Sequence, residues 1–162
     1  MDKTKDNPPS EFMDIMPVIK EMLTVKKSNT AESALIWMKN LLQIYSHKLL
    51  PQFDDVLPIL IEKLQDSEES VIQNVIDVLG NICLHEDYFH SVIEKILENF
   101  HLNKDVLNTR MQIVIKKLCT LLDSQKLYMA FAEKLLKYEN VNFISSAVQT
   151  FDLILLTDNV NK

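Results

Sequence analysis

Gly80 is the only glycine among the 162 residues of this chain, and this shortage limits how the chain can fold. At average usage a chain of this length would carry about 11 glycines. Phosphate-binding loops such as GxxxxGK[ST] and GxGxxG need several glycines, because only glycine lets backbone amides close around a phosphate. ATP and dinucleotide sites of these kinds are therefore excluded.

The prolines and the apolar spacing both predict helices. All five prolines lie in the first 58 residues, so the rest of the chain contains no helix breaker other than Gly80. Apolar residues recur at three- and four-residue spacing in eight blocks, which predicts amphipathic helices. The predicted helices cover residues 11–25, 31–46, 49–65, 69–84, 88–101, 105–122, 125–138 and 141–157. The polar residues 1–10, which include Pro8 and Pro9, are predicted to form a disordered tail.

The net charge argues against a nucleic-acid partner. The chain carries 17 Lys and Arg against 23 Asp and Glu, which gives a net charge of −6. Nucleic-acid-binding proteins usually have a basic surplus that neutralises phosphates. Direct attraction to anionic lipid is disfavoured for the same reason. The longest apolar run, residues 56–61, is too short to span a bilayer, and the charged N-terminus lacks the apolar segment of a signal peptide.

No set of residues has the spacing of a catalytic or metal site. His85 and His90 are five residues apart across a predicted helix start, so they do not share one helix face as paired metal ligands do. Cys83 and Cys119 lie in apolar helical runs, which favours core thiols in a reducing compartment over a disulfide. We therefore expect no enzymatic activity, no cofactor and no bound metal.

A repeat is visible at the ends of the even-numbered helices. The tetrapeptides LLQI, LGNI, LCTL and LILL begin at residues 41, 79, 118 and 153, so their separations are 38, 39 and 35 residues. Two helices repeated at such a period are typical of helical solenoids. The predicted fold is therefore all-α, with residues 11–162 forming an α-solenoid of four helical hairpins. These hairpins are predicted near residues 11–46, 49–84, 88–122 and 125–157.

Residues 50–82 resemble a HEAT repeat. They contain a proline in the first helix, an aspartate at the inner turn, a valine at the start of the second helix and a Leu-Gly-x-Ile ending: Pro58, Asp66, Val71, Leu79, Gly80 and Ile82. Bent first helices are a trait of the HEAT family, and a proline inside a helix bends it. The resemblance implies that the second helices line one face that binds partners.

The polar residues of the later second helices are the candidate partner-binding face. They are Gln112, Lys116, Lys117, Gln149 and Asp152. The repeat offsets also align Lys39 with Asp77 and Lys117 with Asp152. Individually, these charges are expected to pair between neighbouring repeats. As a whole, the face is expected to contact a partner.

The second half of the chain carries a more specific resemblance. Residues 110–157 are similar to the C-terminal region of the vacuole-morphology scaffold family, the vac-fourteen family, with matches at Arg110, Ile115, Leu118, Cys119, Leu121, Leu122, Ala132, Leu135, Leu136, Val148, Thr150, Ile154, Leu155, Leu156 and Thr157. An earlier segment of that family matches at Ala34, Leu35, Trp37, Leu50, Asp55, Pro58, Leu60, Leu64, Asp66, Ser67, Glu69 and Val71. The family's Arg-Gly pair is replaced here by Arg110-Met111.

The resemblance implies a non-catalytic scaffold segment that helps to assemble a phosphoinositide kinase–phosphatase complex regulating phosphatidylinositol 3,5-bisphosphate. The implied partners are the phosphatidylinositol 3-phosphate 5-kinase and a Sac-domain phosphoinositide phosphatase. Self-association is implied for a C-terminal continuation that this chain lacks. The implied location is the cytoplasmic face of endosomes or vacuoles, with membrane contact made through the partners. The alternative is another HEAT or armadillo-type adaptor, such as a transport or kinase-regulatory fragment.

Overall fold

In the computed structural model, the backbone is described for residues 10–25, 27–66, 68–103 and 107–161. These residues form eight α-helices and no β-strand, which confirms the all-α prediction. The first nine residues of the predicted tail lie outside the described residues, whereas Ser10 already belongs to the first helix. The limits of the four predicted repeats stay a prediction.

The helices follow the predicted blocks closely in all but one place. Their bounds are α1 Ser10–Thr24, α2 Ser28–Leu49, α3 Leu57–Glu62, α4 Glu69–Cys83, α5 Glu86–Leu102, α6 Leu107–Leu121, α7 Ser124–Leu135 and α8 Val141–Asn161. Short 3-10 helices at Leu50–Phe53 and Lys63–Gln65 flank α3. Polar side chains mark several starts: the Asp123 carboxylate accepts a hydrogen bond from the Gln125 amide, and Asn140 accepts one from the Phe143 amide.

The exception is the region of residues 49–65, where the prediction of a single helix is wrong. A 3-10 helix containing Pro51 comes first, residues 54–56 form a turn, and α3 then begins at Leu57. Proline has no amide hydrogen and its ring clashes with the preceding turn, so it favours the first turn of a helix, although Pro17 does lie inside α1. Pro58 occupies that first turn of α3. It therefore marks the start of the helix and does not bend its interior.

The described residues divide into two compact units. Unit 1 comprises residues 1–82, and within it α1 packs against α2 and α3. Two polar contacts link α2 to α4: the Ser70 hydroxyl donates to the Glu32 carboxylate, and the Lys39 Nζ lies 3.6 Å from an Asp77 carboxylate oxygen. In both pairs the sequence separation is 38, and the expected pairing of Lys39 with Asp77 is present.

Unit 2 comprises residues 83–162. Its first helices pack together, α5 on α7, and so do its second helices, α6 on α8. Stacked helical repeats bury their apolar faces by packing first helices on first helices and second helices on second helices. Within this unit, that packing gives the solenoid-like arrangement that the repeats predict. The centre is aromatic, with Phe89, Phe100, Phe131 and Phe143 fully buried.

Candidate protein-binding site

The structure places the five residues of the predicted partner-binding face on α6 and α8. Lys116, Gln149 and Asp152 are exposed, whereas Gln112 and Lys117 are half-buried. The two helices pack directly against each other, so neighbouring second helices do carry these side chains. That they form a binding face stays a prediction.

Asp152 belongs to a feature that sequence reasoning missed, an apolar groove between α7 and α8. The groove has a volume of about 400 Å³. Apolar side chains form most of its lining: Tyr128, Ala132, Leu136, Ile144, Val148 and Phe151. Among the described residues that line it, Asp152 alone is charged, and none comes from α6. We call this feature the α7–α8 groove.

Aromatic contacts hold the Phe151 ring, which forms the floor of the α7–α8 groove, in position. The Phe151 ring is buried, and its centroid lies 5.1 Å from that of Phe131 and 5.7 Å from that of Tyr128. Tyr128 in turn accepts a hydrogen bond from the Cys119 thiol, with 3.7 Å between Sγ and Oη. Edge-to-face and tilted aromatic contacts of this kind fix ring orientations. The floor is therefore preorganised.

The walls of the groove are exposed. Leu136 is 86% exposed and Val148 is 44% exposed, although both are aliphatic. Contiguous exposed apolar surface is uncommon on soluble proteins and marks places where another molecule binds. The α7–α8 groove is therefore the strongest binding-site candidate within the described part of unit 2.

A sequence signal for the groove does exist. The buried face of α8 carries Phe143, Ala147, Phe151 and Ile154 at the spacing of one helix face. Beside it, Val141, Ile144 and Val148 form a second apolar row at spacings of three and four. A helix that is apolar on more than one side has more than one neighbour to pack against. If every apolar residue of α8 is assigned to the core, this second row is not recognised as a possible binding surface.

A second cluster of side chains in unit 2, formed by Lys126, Glu86 and Phe89, makes its contacts within the protein. The Lys126 ammonium pairs with the Glu86 carboxylate, and its Nζ lies 4.7 Å from the centroid of the Phe89 ring. The hydrogen bond from Lys126 is the main cause that lowers the pKa of Glu86 below its ordinary value. The pairing joins α7 to α5, which gives it a structural role.

The two cysteines do not have the environment of reactive thiols. Burial raises the pKa of the Cys83 thiol to about 12, an effect that the Lys126 charge only partly offsets. A thiol with so high a pKa is a poor nucleophile at neutral pH. Cys119 is half-buried and donates to Tyr128. Cys83 and Cys119 are not joined by a disulfide.

The described residues offer neither a metal-binding cluster nor a membrane-spanning helix. Across the described ranges, no group of three or more His, Cys, Asp and Glu side chains is arranged to hold a metal ion. Among the helices that the structure describes, none combines the length and hydrophobicity that a bilayer crossing needs.

Comparison with known proteins adds to this geometry. Residues 104–161 match the family described as "Vacuolar protein 14 C-terminal Fig4p binding". The chain is 28% identical to the Protein VAC14 homolog of Arabidopsis thaliana over 152 residues, which is 92% of the chain and 20% of that protein. It is 26% identical to the Protein VAC14 homolog of Schizosaccharomyces pombe over 156 residues, 94% of the chain and 19% of that protein.

A more distant relative matches most of the chain as well. The Vacuole morphology and inheritance protein 14 of Saccharomyces cerevisiae is 17% identical over 127 residues, 77% of the chain and 14% of that protein. The chain thus spans about a fifth of the length of each of the two VAC14 homologs named above. The similarity runs through both units, and the matched segment 104–161 contains the whole α7–α8 groove. The chain is thus similar to VAC14 proteins along most of its length, and its residues 104–161 are similar to their C-terminal Fig4p-binding family.

Proposed function

We propose that this chain is a non-catalytic scaffold segment of a complex that regulates phosphatidylinositol 3,5-bisphosphate. The observation that carries the proposal is the match of residues 104–161 to a family described by its binding of Fig4p. The proposed partner of unit 2 is accordingly a Sac-domain phosphoinositide phosphatase of the Fig4 type. The second proposed partner is the phosphatidylinositol 3-phosphate 5-kinase that makes the lipid.

A scaffold of this kind would act through proximity. Two enzymes held on one protein meet at an effective concentration set by the spacing of their sites, which reaches the millimolar range for short connections. Helical repeats suit this task because they present extended surfaces whose curvature follows from the repeat geometry. The residues of this chain would therefore bind and position enzymes and would not take part in their chemistry.

The proposed contact face on α6 and α8 comprises Gln112, Lys116, Lys117, Gln149 and Asp152. Exposure of Lys116, Gln149 and Asp152 supports it, because an exposed charge or amide can face a partner surface. The proposed location is the cytoplasmic surface of endosomes or vacuoles, reached through the bound enzymes. The vacuolar names of the relatives support this location. Self-association is proposed for regions of the longer relatives that this chain does not cover.

Direct binding measurements test the proposal. The purified chain is titrated by calorimetry with the Sac-domain phosphatase and, separately, with the 5-kinase of the same organism. Saturable binding of the phosphatase is expected, since the matched segment lies within this chain. Absence of binding to both enzymes at concentrations up to about 100 μM, which covers weak transient complexes, would overturn the proposal in favour of a different adaptor role.

A further inference from the structure

The α7–α8 groove is shaped for a helix. It lies between two helices that follow each other in the chain, and a third helix packs between two others by placing its side-chain ridges in such a depression. Unit 2 already uses this geometry internally, because α7 packs against both α5 and α6. Recognition of an amphipathic helix in an apolar groove is a common way for proteins to bind peptide segments.

We propose that the α7–α8 groove binds one amphipathic α-helix of the Sac-domain phosphatase, an inference that rests on the proposed function. Apolar side chains at three- and four-residue spacing on that helix contact Leu136 and Val148. A basic side chain of the helix lies beside Asp152. The groove thus fixes where on this chain the phosphatase docks and which chemistry its docking segment has.

Three observations single out this occupant. The first is position, because every lining residue falls within residues 104–161, the segment matched to Fig4p binding. The exposed apolar side chains of unit 1, such as Trp37 and Ile44, lie outside that segment. Position therefore favours the groove over the exposed apolar surface of unit 1.

The second observation is charge. Asp152 is exposed at the groove, and the described lining contains no basic residue to neutralise it. A carboxylate beside an apolar groove favours a partner that pairs an apolar stripe with a lysine or arginine. It disfavours an acidic helix, which would place like charges together.

The third observation is preorganisation. The contacts of Phe151 with Phe131 and Tyr128 hold the groove floor before any partner arrives. A preformed site loses little conformational freedom on binding, and this strengthens the affinity for a given contact area. Large apolar anchors in such sites contribute most of the binding energy.

Matched aspartate substitutions test the groove directly. Val148→Asp and Leu136→Asp place a charge inside it, whereas Leu153→Asp places one on the same helix α8 at a residue that is 51% exposed and outside the lining. We expect each groove variant to weaken phosphatase binding at least about tenfold in calorimetry, as for an interface hot spot. The Leu153 variant should bind within about twofold of the wild type. Asp152→Lys should also weaken binding.

Failure of the inference and failure of the proposed function give different results. If the wild-type chain binds the phosphatase but the groove variants bind it equally well, the groove is not the docking site while the scaffold role stands. If the wild-type chain does not bind the phosphatase at all, both are overturned. Circular dichroism melting curves of each variant show whether a loss of binding comes from unfolding.

Cysteine labelling keeps the inference testable even if an aspartate variant unfolds. Val148→Cys and Leu153→Cys each add one exposed thiol, and maleimide labelling rates of the two new thiols are compared with and without phosphatase. Protection of the thiol at position 148 but not of the thiol at position 153, only in the presence of phosphatase, supports the inference. Slow labelling at position 148 in the absence of phosphatase shows that a second copy or another part of the chain covers the groove, and this overturns it.

Discussion

Units 1 and 2 use the same kind of helical hairpin but hold neighbouring hairpins together in different ways. In unit 1, two polar contacts near the surface link α2 to α4, namely Glu32 with Ser70 and Lys39 with Asp77. In unit 2 rings take part in the corresponding links: His101 contacts Phe143, and Lys126, which also pairs with Glu86, lies over Phe89. The repeat architecture therefore fixes where hairpins meet, while the chemistry of the contact varies.

The difference has energetic consequences. Exposed ion pairs contribute about 0.2–1 kcal/mol because solvent screens them. A buried aromatic side chain contributes several times more through burial and packing. We therefore expect substitutions at the junctions of unit 2 to cost much more than substitutions at the polar junctions of unit 1.

The largest effect is expected at Phe143. Its ring is fully buried at the start of α8, and its centroid lies 4.9 Å from that of His101 and 5.1 Å from that of Tyr138. Phe143→Ala removes the ring and leaves a cavity, which typically costs about 3–5 kcal/mol. Urea denaturation should show this loss, and hydrogen exchange should accelerate in α5 and α8. A loss below about 1 kcal/mol would contradict the view that rings hold unit 2 together.

An intermediate effect is expected at Lys126, which combines both kinds of contact. Lys126→Met keeps much of the side-chain volume but removes the charge over Phe89, with an expected cost of about 0.5–1 kcal/mol in urea denaturation. The pKa of Glu86, which Lys126 lowers, should rise in an NMR titration of this variant. Lys126→Arg is the matched control, because it retains the charge and should keep the pKa of Glu86 low.

The pH dependence of this contact follows from the same shift. The pKa of Glu86 is lower in the folded chain than in the unfolded chain, so the unfolded chain binds more protons at acidic pH. The stabilisation is complete above the unfolded pKa and is lost as the pH falls through the folded pKa. The difference in stability between the wild type and Lys126→Met should therefore shrink on acidification. A constant difference across that range would show that the ion pair contributes nothing.

Most of the fold follows from the spacing of apolar residues, since seven of the eight helices lie where the periodicity predicts them. The third predicted helix is misplaced because apolar spacing continues through Pro51 and Pro58, although proline disfavours a helix interior. The alignment of residues between neighbouring repeats is predictable only where the repeat period is regular. The offset of 38 correctly aligns Lys39 with Asp77.

The groove is harder to predict for a related reason. The last offset is 35, three residues shorter than the first, and three residues turn a helix by about 300°. Asp152, which this offset aligns with Lys117, lines the α7–α8 groove, whereas Lys117 does not. In a single sequence, an exposed apolar row that lies beside a buried apolar row has the same pattern as core residues. Its exposure depends on the neighbouring helices, which only the three-dimensional structure supplies.

The smallest effect is expected at the polar junction of unit 1. Lys39 is partly exposed and Asp77 is half-buried, with 3.6 Å between Nζ and the carboxylate oxygen. A double-mutant cycle with Lys39→Ala and Asp77→Ala, measured by urea denaturation, should give a coupling energy of about 0.5 kcal/mol that decreases as salt is added. Asp77 makes further contacts, so only the cycle, and not the single Asp77 substitution, isolates the pair. A coupling energy of about 2 kcal/mol or more that does not change with salt would be close to that of a buried ring contact. It would mean that the pair is shielded from solvent, and the contrast between the two units would then disappear.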